Sequence, residues 1–217
     1  MVAATLLAGC GSDDSSSDEA ATPQSNLPVA ELPILRVEDF PAGFAEDAEA
    51  EPDAEEDEST ITPAACQDAG EPLDDIEKKA DVDMSNLADG VNMSFTVAQT
   101  DFDVAAFEQT LADCTSMTLS DNGTTGTITL SPHELSIPDA DSAARLVVMD
   151  IGINGNTAYA TGFVVVATID GFVMSGQFAQ IGEGTAPADK AAGENIPYTE
   201  EFFDLVDKQI DYIKNAG

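Results

Sequence analysis

The chain has 217 residues, which is enough for one ordinary domain with a hydrophobic core and an additional tail. It carries 42 Asp and Glu residues against seven Lys and Arg residues, a formal net charge of −35 at pH 7. Such a surface repels phosphate backbones and anionic lipid head groups, so nucleic-acid binding is excluded. No run of 18 apolar residues marks a membrane-spanning helix.

The first ten residues end in Leu7-Ala8-Gly9-Cys10, which resembles the lipobox of bacterial lipoproteins. The resemblance implies that residues 1–9 are a signal peptide and that Cys10 carries a lipid. The lipid would anchor the protein in the cell membrane, on its extracytoplasmic side. Because a secretory signal begins with basic residues and none precedes Val2, we expect the natural start to lie upstream of Met1. The alternative is a frayed cytoplasmic N-terminus that matches the lipobox by chance.

Residues 10–61 are predicted to form an acidic tether. Nine of the thirteen residues from Glu46 to Glu58 are acidic, and such a run cannot bury enough apolar surface to fold alone. Residues 27–44 interrupt this tether with apolar side chains and prolines. We interpret them as an extended strap that packs onto the domain, which is expected to span residues 62–217. The strap residues predicted to make this contact are Leu35, Phe40 and Phe44.

The first half of the domain is predicted to contain helices and one strand. Thr62-Pro63 is typical of a helix start and predicts a helix that carries Cys66, with a second helical piece ending at Lys79. Alternating apolar residues predict a strand over 91–97. Asp103 is expected to cap a helix whose apolar stripe faces the core. The members of that stripe are Val104, Phe107, Leu111 and Cys114.

The second half is predicted to be a meander of three hairpins. Their turns are marked by Asn122-Gly123, Asn154-Gly155 and Asp170-Gly171. The run from Phe163 to Ile169 alternates little, which is typical of a central strand. Thr199 is expected to cap a last helix with one apolar stripe. We therefore expect an α+β fold, with a twisted antiparallel sheet of five or six strands and helices packed on one face.

Cys66 and Cys114 remain as a pair once Cys10 is reserved for the lipid. Outside the cytoplasm such a pair usually forms a disulfide. The inward direction of Cys114 on its helix agrees with this pairing. Two buried free thiols are the alternative. Metal binding is disfavoured, because neither cysteine has a CxxC spacing or a nearby histidine.

Several short motifs resemble the PknH-like extracellular sensor domains of actinobacterial lipoproteins and kinases. They are the Asp39-Phe40-Pro41-Ala42-Gly43-Phe44 entry, the segment from Pro63 to Cys66, and the segment from Phe107 to Cys114. The resemblance implies an extracytoplasmic domain with a twisted antiparallel sheet and a sensing or binding role. It also implies that Cys66 and Cys114 form a disulfide. Kinase-linked relatives have further cysteines and a transmembrane helix, and this sequence has neither.

No catalytic constellation is recognisable in the sequence. His133 is the only histidine and is expected at a surface turn, and the GxSxG, P-loop and GxGxxG motifs are absent. We therefore expect no enzyme activity, no cofactor and no metal site. Two functions remain: a membrane-anchored binding or sensor module that takes a small molecule or an envelope protein, or a structural envelope protein that contacts a partner or the cell wall. An enclosed apolar pocket between sheet and helices would favour the first function, and a filled core with an exposed flat apolar patch would favour the second.

Overall fold

The computed structural model describes residues 27–46, 60–66, 73, 76–121, 124–153 and 155–216. Within these ranges the chain forms a nine-stranded sheet and three α-helices. The helices are α1 (Val104–Asp113), α2 (Ala188–Ala191) and α3 (Thr199–Lys214). The strands are β1 (Ala45–Glu46), β2 (Thr60–Thr62), β3 (Lys79–Asn86), β4 (Val91–Ala98), β5 (Ser116–Asp121), β6 (Thr124–Pro132), β7 (Asp141–Ile153), β8 (Asn156–Ile169) and β9 (Phe172–Glu183).

All neighbouring strands run antiparallel, in the order β1-β3-β4-β9-β8-β7-β6-β5-β2. The α+β class and the three predicted hairpins are therefore confirmed, and β8 is the middle strand, as the run from Phe163 to Ile169 predicts. Asp170 and Gly171 have φ values of 51° and 81°. A positive φ at both central residues is typical of the type I′ turn that matches the twist of the flanking strands.

The predicted number of five or six strands is wrong, because β1, β2 and β3 were not foreseen. β1 and β2 contain two and three residues at the two sheet edges, which is too few for a period of two to be recognisable. β3 does alternate, with Ala80, Val82 and Met84 on one face and acidic residues between them. Asp81 and Asp83 lie beyond the two residues of β3 that pair with β1, and charge at such a position discourages pairing with another chain.

The helices lie on both faces of the sheet, so the prediction of one covered face is also wrong. Successive side chains of a strand point to opposite faces. On β8, Val165 and Ala167 belong to the large core under α3, whereas Val166 packs with Val104 of α1. The central strands are thus buried on both sides. This explains why the β8 sequence shows so little alternation.

The strap contributes side chains to the core under α3. Leu35 and Phe40 are buried, and the ring of Phe44 packs edge-on against Tyr198 at 5.3 Å. Gln209 of α3 is completely buried and joins the strap to the helix. Its side chain accepts a hydrogen bond from the Leu35 backbone N–H at 2.9 Å and donates one to the Pro33 carbonyl.

Two predicted helix starts differ from the structure. After Thr62 the chain forms only a 3-10 turn, Ala64–Cys66, and residues 76–78 are not helical where a helical piece ending at Lys79 was predicted. The last helix forms as predicted, but Thr199 is its first residue and not its cap. Tyr198 occupies the capping position, with φ of 64° and no side-chain cap. The Thr199 hydroxyl instead donates to the Ile196 carbonyl at 2.9 Å.

Candidate functional site

The two domain cysteines form a disulfide in the core beneath α1. The Cys66 and Cys114 sulfurs are 1.98 Å apart, and both residues are buried. They pack with Leu111 of α1 and with Met117 and Ile128 of the sheet. The bond joins the segment that follows β2 to the end of α1, which makes it a structural link. Cys10, the predicted lipid attachment site, lies outside the described residues.

A groove opens at the end of the sheet where α1 begins. It has a volume of about 790 Å³ and lies between the loop before α1, the start of β7 and the β8–β9 turn. Ligand sites usually have volumes in this range. Its lining combines large apolar side chains with hydroxyl and carboxylate groups. The large apolar residues are Phe102, Val104, Ile169 and Phe172, and all of them except Phe102 are buried.

Four different elements bring acidic side chains to this groove. Asp101 and Asp103 come from the loop before α1, Glu108 from α1 itself, Asp141 from the first position of β7 and Asp170 from the β8–β9 turn. Asp103 caps α1, because its carboxylate accepts a hydrogen bond from the Ala106 N–H at 2.9 Å.

Only one of the groove acids is paired with a base among the described residues. Arg145, which is 5% exposed, lies 3.5 Å from the Glu108 carboxylate and donates a hydrogen bond to the Ala144 carbonyl. Asp101, Asp141 and Asp170 have no such partner in the described part of the chain. The groove therefore presents uncompensated negative charge at Asp101, Asp141 and Asp170.

The sequence indicated neither the groove nor the buried arginine. Asp101 and Asp170 are 69 positions apart and meet only because α1 packs beside the β8–β9 turn. Among 42 acids, no local pattern distinguishes these five. His133 is also placed differently from the prediction, because its half-buried ring lies between Phe163 and Phe203, at centroid distances of 4.7 and 5.3 Å.

No group of three or more His, Cys, Asp or Glu residues in the described ranges is arranged to hold a metal ion. None of the described helices is both long and apolar enough to cross a membrane.

The strap begins beside the groove. The Leu27 backbone N–H donates a hydrogen bond to the Gln99 side chain at 2.8 Å, and the following residue, Thr100, lines the groove. The strap then follows α3 towards the opposite end of the sheet, where Phe44 contacts Tyr198. Leu27, the first residue that the structure describes, therefore lies at the groove end of the domain.

No family model and no curated protein matches the chain. Among solved structures, the extracellular domain of PknH from Mycobacterium tuberculosis is similar, with 15% identity and a TM-score of 0.48. That similarity covers 88% of this chain and 98% of the PknH domain. An uncharacterized protein from Mycobacterium smegmatis, an Rv0999 ortholog, is also similar, with 11% identity and a TM-score of 0.46. That similarity covers 82% of this chain and 92% of the mycobacterial chain. A PknH domain, the kind of domain that the sequence motifs resemble, is thus among the similar structures.

Proposed function

We propose that the protein is a lipid-anchored, extracytoplasmic binding module whose ligand occupies the groove beside α1. The disulfide between Cys66 and Cys114 is the observation that carries this proposal. Disulfides form and persist in oxidising compartments and are rare in the cytoplasm. Together with the lipobox-like sequence before Cys10, the bond supports an exported protein.

The position of the groove supports a binding role near the membrane. Sixteen residues separate Cys10 from Leu27, and a fully extended chain of that length spans at most about 60 Å. Since Leu27 lies beside the groove, a lipid on Cys10 would hold the groove within that distance of the membrane. The groove would then meet molecules at the membrane or in the adjacent envelope.

The anchor is tested by changing Cys10 to Ser in the native host. We expect the wild-type protein in the membrane fraction and the variant in the medium, with a lipid mass on the wild-type N-terminal peptide only. Unchanged fractionation without a lipid mass would contradict the anchor. The binding role is independent of this result and needs its own test.

The binding role is tested by filling the groove. Ser142 lines it, so Ser142→Trp should displace a ligand that copurifies from the native envelope and is seen by native mass spectrometry. Thr157→Trp is the matched control, because Thr157 is exposed at the opposite end of the sheet. A ligand retained equally by both variants would show that binding occurs elsewhere.

A structural envelope protein is the second candidate. Its docking face would be marked by a large exposed apolar patch. Among the described residues, four large apolar side chains are exposed, on the strap, the β3–β4 turn and β9. Distributed over three elements, they do not favour this function over binding. These residues are Val29, Val37, Leu87 and Ile181.

A further inference from the structure

Residues 47–59 join opposite edges of the sheet. β1 ends at Glu46 on the edge beside β3, and β2 begins at Thr60 on the edge beside β5, so the other seven strands lie between these two ends. The connecting residues lie outside the described ranges, whereas the positions of both ends are described. The length of the connection therefore limits the path that it takes.

The available length is only slightly greater than the distance to be crossed. Eight inter-strand spacings of about 4.8 Å separate β1 from β2. Through the strand pairs, Glu46 lies level with Phe163 of β8 and Thr60 lies level with Thr157, six residues further along that strand. Together these distances give a path of about 43 Å along the sheet surface. The fourteen peptide steps from Glu46 to Thr60 extend to at most about 50 Å.

This length excludes a detour over a helix. α3 and the strap cover one face of the sheet, and a path over a helix of about 10 Å diameter would add roughly 20 Å. On the other face, the clusters beneath α1 reach Val166 of β8 and Ile128 of β6. Five apolar residues further along the central strands share that face and belong to none of the three clusters formed by described residues. These residues, which we call the open face, are Ile151 on β7, Ala158 and Ala160 on β8, and Ala179 and Ile181 on β9.

We propose that the open face is the docking site of residues 47–55, which cross it as an extended chain. The direct path between the two sheet edges passes over Ile181, Ala160 and Ile151. Because both ends of the segment are held in the sheet, its docking does not depend on the affinity of a separate partner. The inference is independent of the groove, which Ser142→Trp tests separately.

The sequence of the segment fits this crossing. Over nine residues, its even positions hold small apolar residues and its odd positions hold acids. Successive side chains of an extended chain point to opposite sides, so the acids face water while the small residues lie on the sheet. The short side chains of Ala158, Ala160 and Ala179 allow a close approach. The small residues of the segment are Ala48, Ala50, Pro52 and Ala54, and its acids are Asp47, Glu49, Glu51, Asp53 and Glu55.

Paramagnetic NMR on the full chain locates the segment. In a Cys10→Ser background, Asp53→Cys provides one free thiol for a nitroxide label, at a position that faces water in the proposed arrangement. We expect the label to broaden the amide signals of residues 158–162 and 179–183 more strongly than those of α3. Ser16→Cys carries the same label before the strap as the matched control and should not broaden these amides. Equal or stronger broadening of α3 by the label at position 53, or no broadening of the sheet, would overturn the proposal.

Ile181→Glu tests the open face itself, because a carboxylate there repels the acidic segment. Ile181 is 47% exposed, and Leu87→Glu is the matched control because Leu87 is 87% exposed on the β3–β4 turn. We expect a Glu-specific protease to cut within residues 47–58 at least about tenfold faster in Ile181→Glu, whereas Leu87→Glu behaves as the wild type. Cleavage after Glu19 should stay constant in all three proteins. Equal rates within residues 47–58 would overturn the proposal, and the label experiment decides if Ile181→Glu does not fold.

Discussion

Arg145 shows how one buried charged residue can be explained mainly by packing. Its side chain is 6% exposed and pairs with Glu108, whose side chain is 53% exposed. A pair with one partner in water gains little from Coulomb attraction, whereas the arginine stem fills space between β7 and α1. Stability should therefore depend much more on the arginine than on its acidic partner.

Substitution of the two partners should separate packing from charge. Arg145→Ala should lower the free energy of unfolding by about 2–4 kcal/mol because it leaves a cavity, and Arg145→Met by only about 1 kcal/mol because it keeps the stem. Glu108→Gln should change it by less than about 1 kcal/mol. Urea denaturation measures all three. A loss in Glu108→Gln as large as in Arg145→Ala would show that the ion pair dominates.

At the scale of elements, the strap depends on α3 for its backbone hydrogen bonds. An extended segment that is not part of the sheet has no ladder to satisfy its peptide groups. Gln209 replaces that ladder, through a buried bond to the Leu35 N–H and a partly buried bond to the Pro33 carbonyl. A buried glutamine in the middle of an apolar stripe is thereby explained.

Gln209→Met should therefore loosen the strap while keeping the volume of the side chain. Two backbone groups would lose their partner in a buried environment, and we expect the free energy of unfolding to fall by about 2–3 kcal/mol. Limited proteolysis should then cut within residues 30–40 first. Lys214→Met is the control on the same helix, since its bond to Pro138 is exposed and should contribute less than about 0.5 kcal/mol.

A second contact between strap and α3 is sensitive to pH. Burial of the Asp39 carboxyl raises its pKa, but the hydrogen bond with Lys208, with further bonds from Arg36 and Tyr212, outweighs burial and leaves the pKa lowered. The Lys208 ammonium lies 2.7 Å from Asp39, and mainly this hydrogen bond raises the pKa of Lys208.

The lowered pKa of Asp39 fixes the direction of the pH effect. A carboxyl with a lowered pKa in the folded state stabilises the protein above its unfolded pKa of about 4, and this contribution is lost as the pH falls further. Wild type should exceed Asp39→Asn in stability by on the order of 1 kcal/mol at pH 7, and the difference should shrink as the pH falls below about 4. Thermal unfolding over this range measures it, and a constant difference would contradict the assignment.

At the scale of the whole molecule, the disulfide reinforces the sheet edge at which β2 and β5 pair. Cys66 and Cys114 are 48 positions apart, and β3, β4 and α1 lie between them. Closing a loop of this length reduces the entropy of the unfolded chain by the equivalent of roughly 4 kcal/mol in the loop-closure model. That is a large share of the stability of an ordinary domain.

Replacing both cysteines with alanine should lower the free energy of unfolding by about 2–5 kcal/mol. A reducing agent should destabilise the wild-type protein by a similar amount and leave the double variant unchanged. Thiol counting on unfolded, unreduced protein gives an independent check. Free thiols at both positions would contradict the bond and weaken the extracytoplasmic assignment.

The sequence by itself determined the features that depend on neighbouring residues. Turn residues such as Asp170-Gly171 specified the hairpins because their positive φ values are a local property of the backbone. The stripe from Val104 to Cys114 specified α1 and the inward direction of Cys114 because helical spacing is also local. The parity of the remaining cysteines indicated the disulfide.

Only the tertiary structure decided which elements meet. The edge strands β1 and β2 exist because β3 and β5 offer them hydrogen-bonding partners, and their few residues hold no periodic pattern. The two covered faces follow from helix packing, which single-strand patterns do not specify. The groove acids come from segments far apart in sequence, so their proximity is a property of the folded sheet and of the helix beside it.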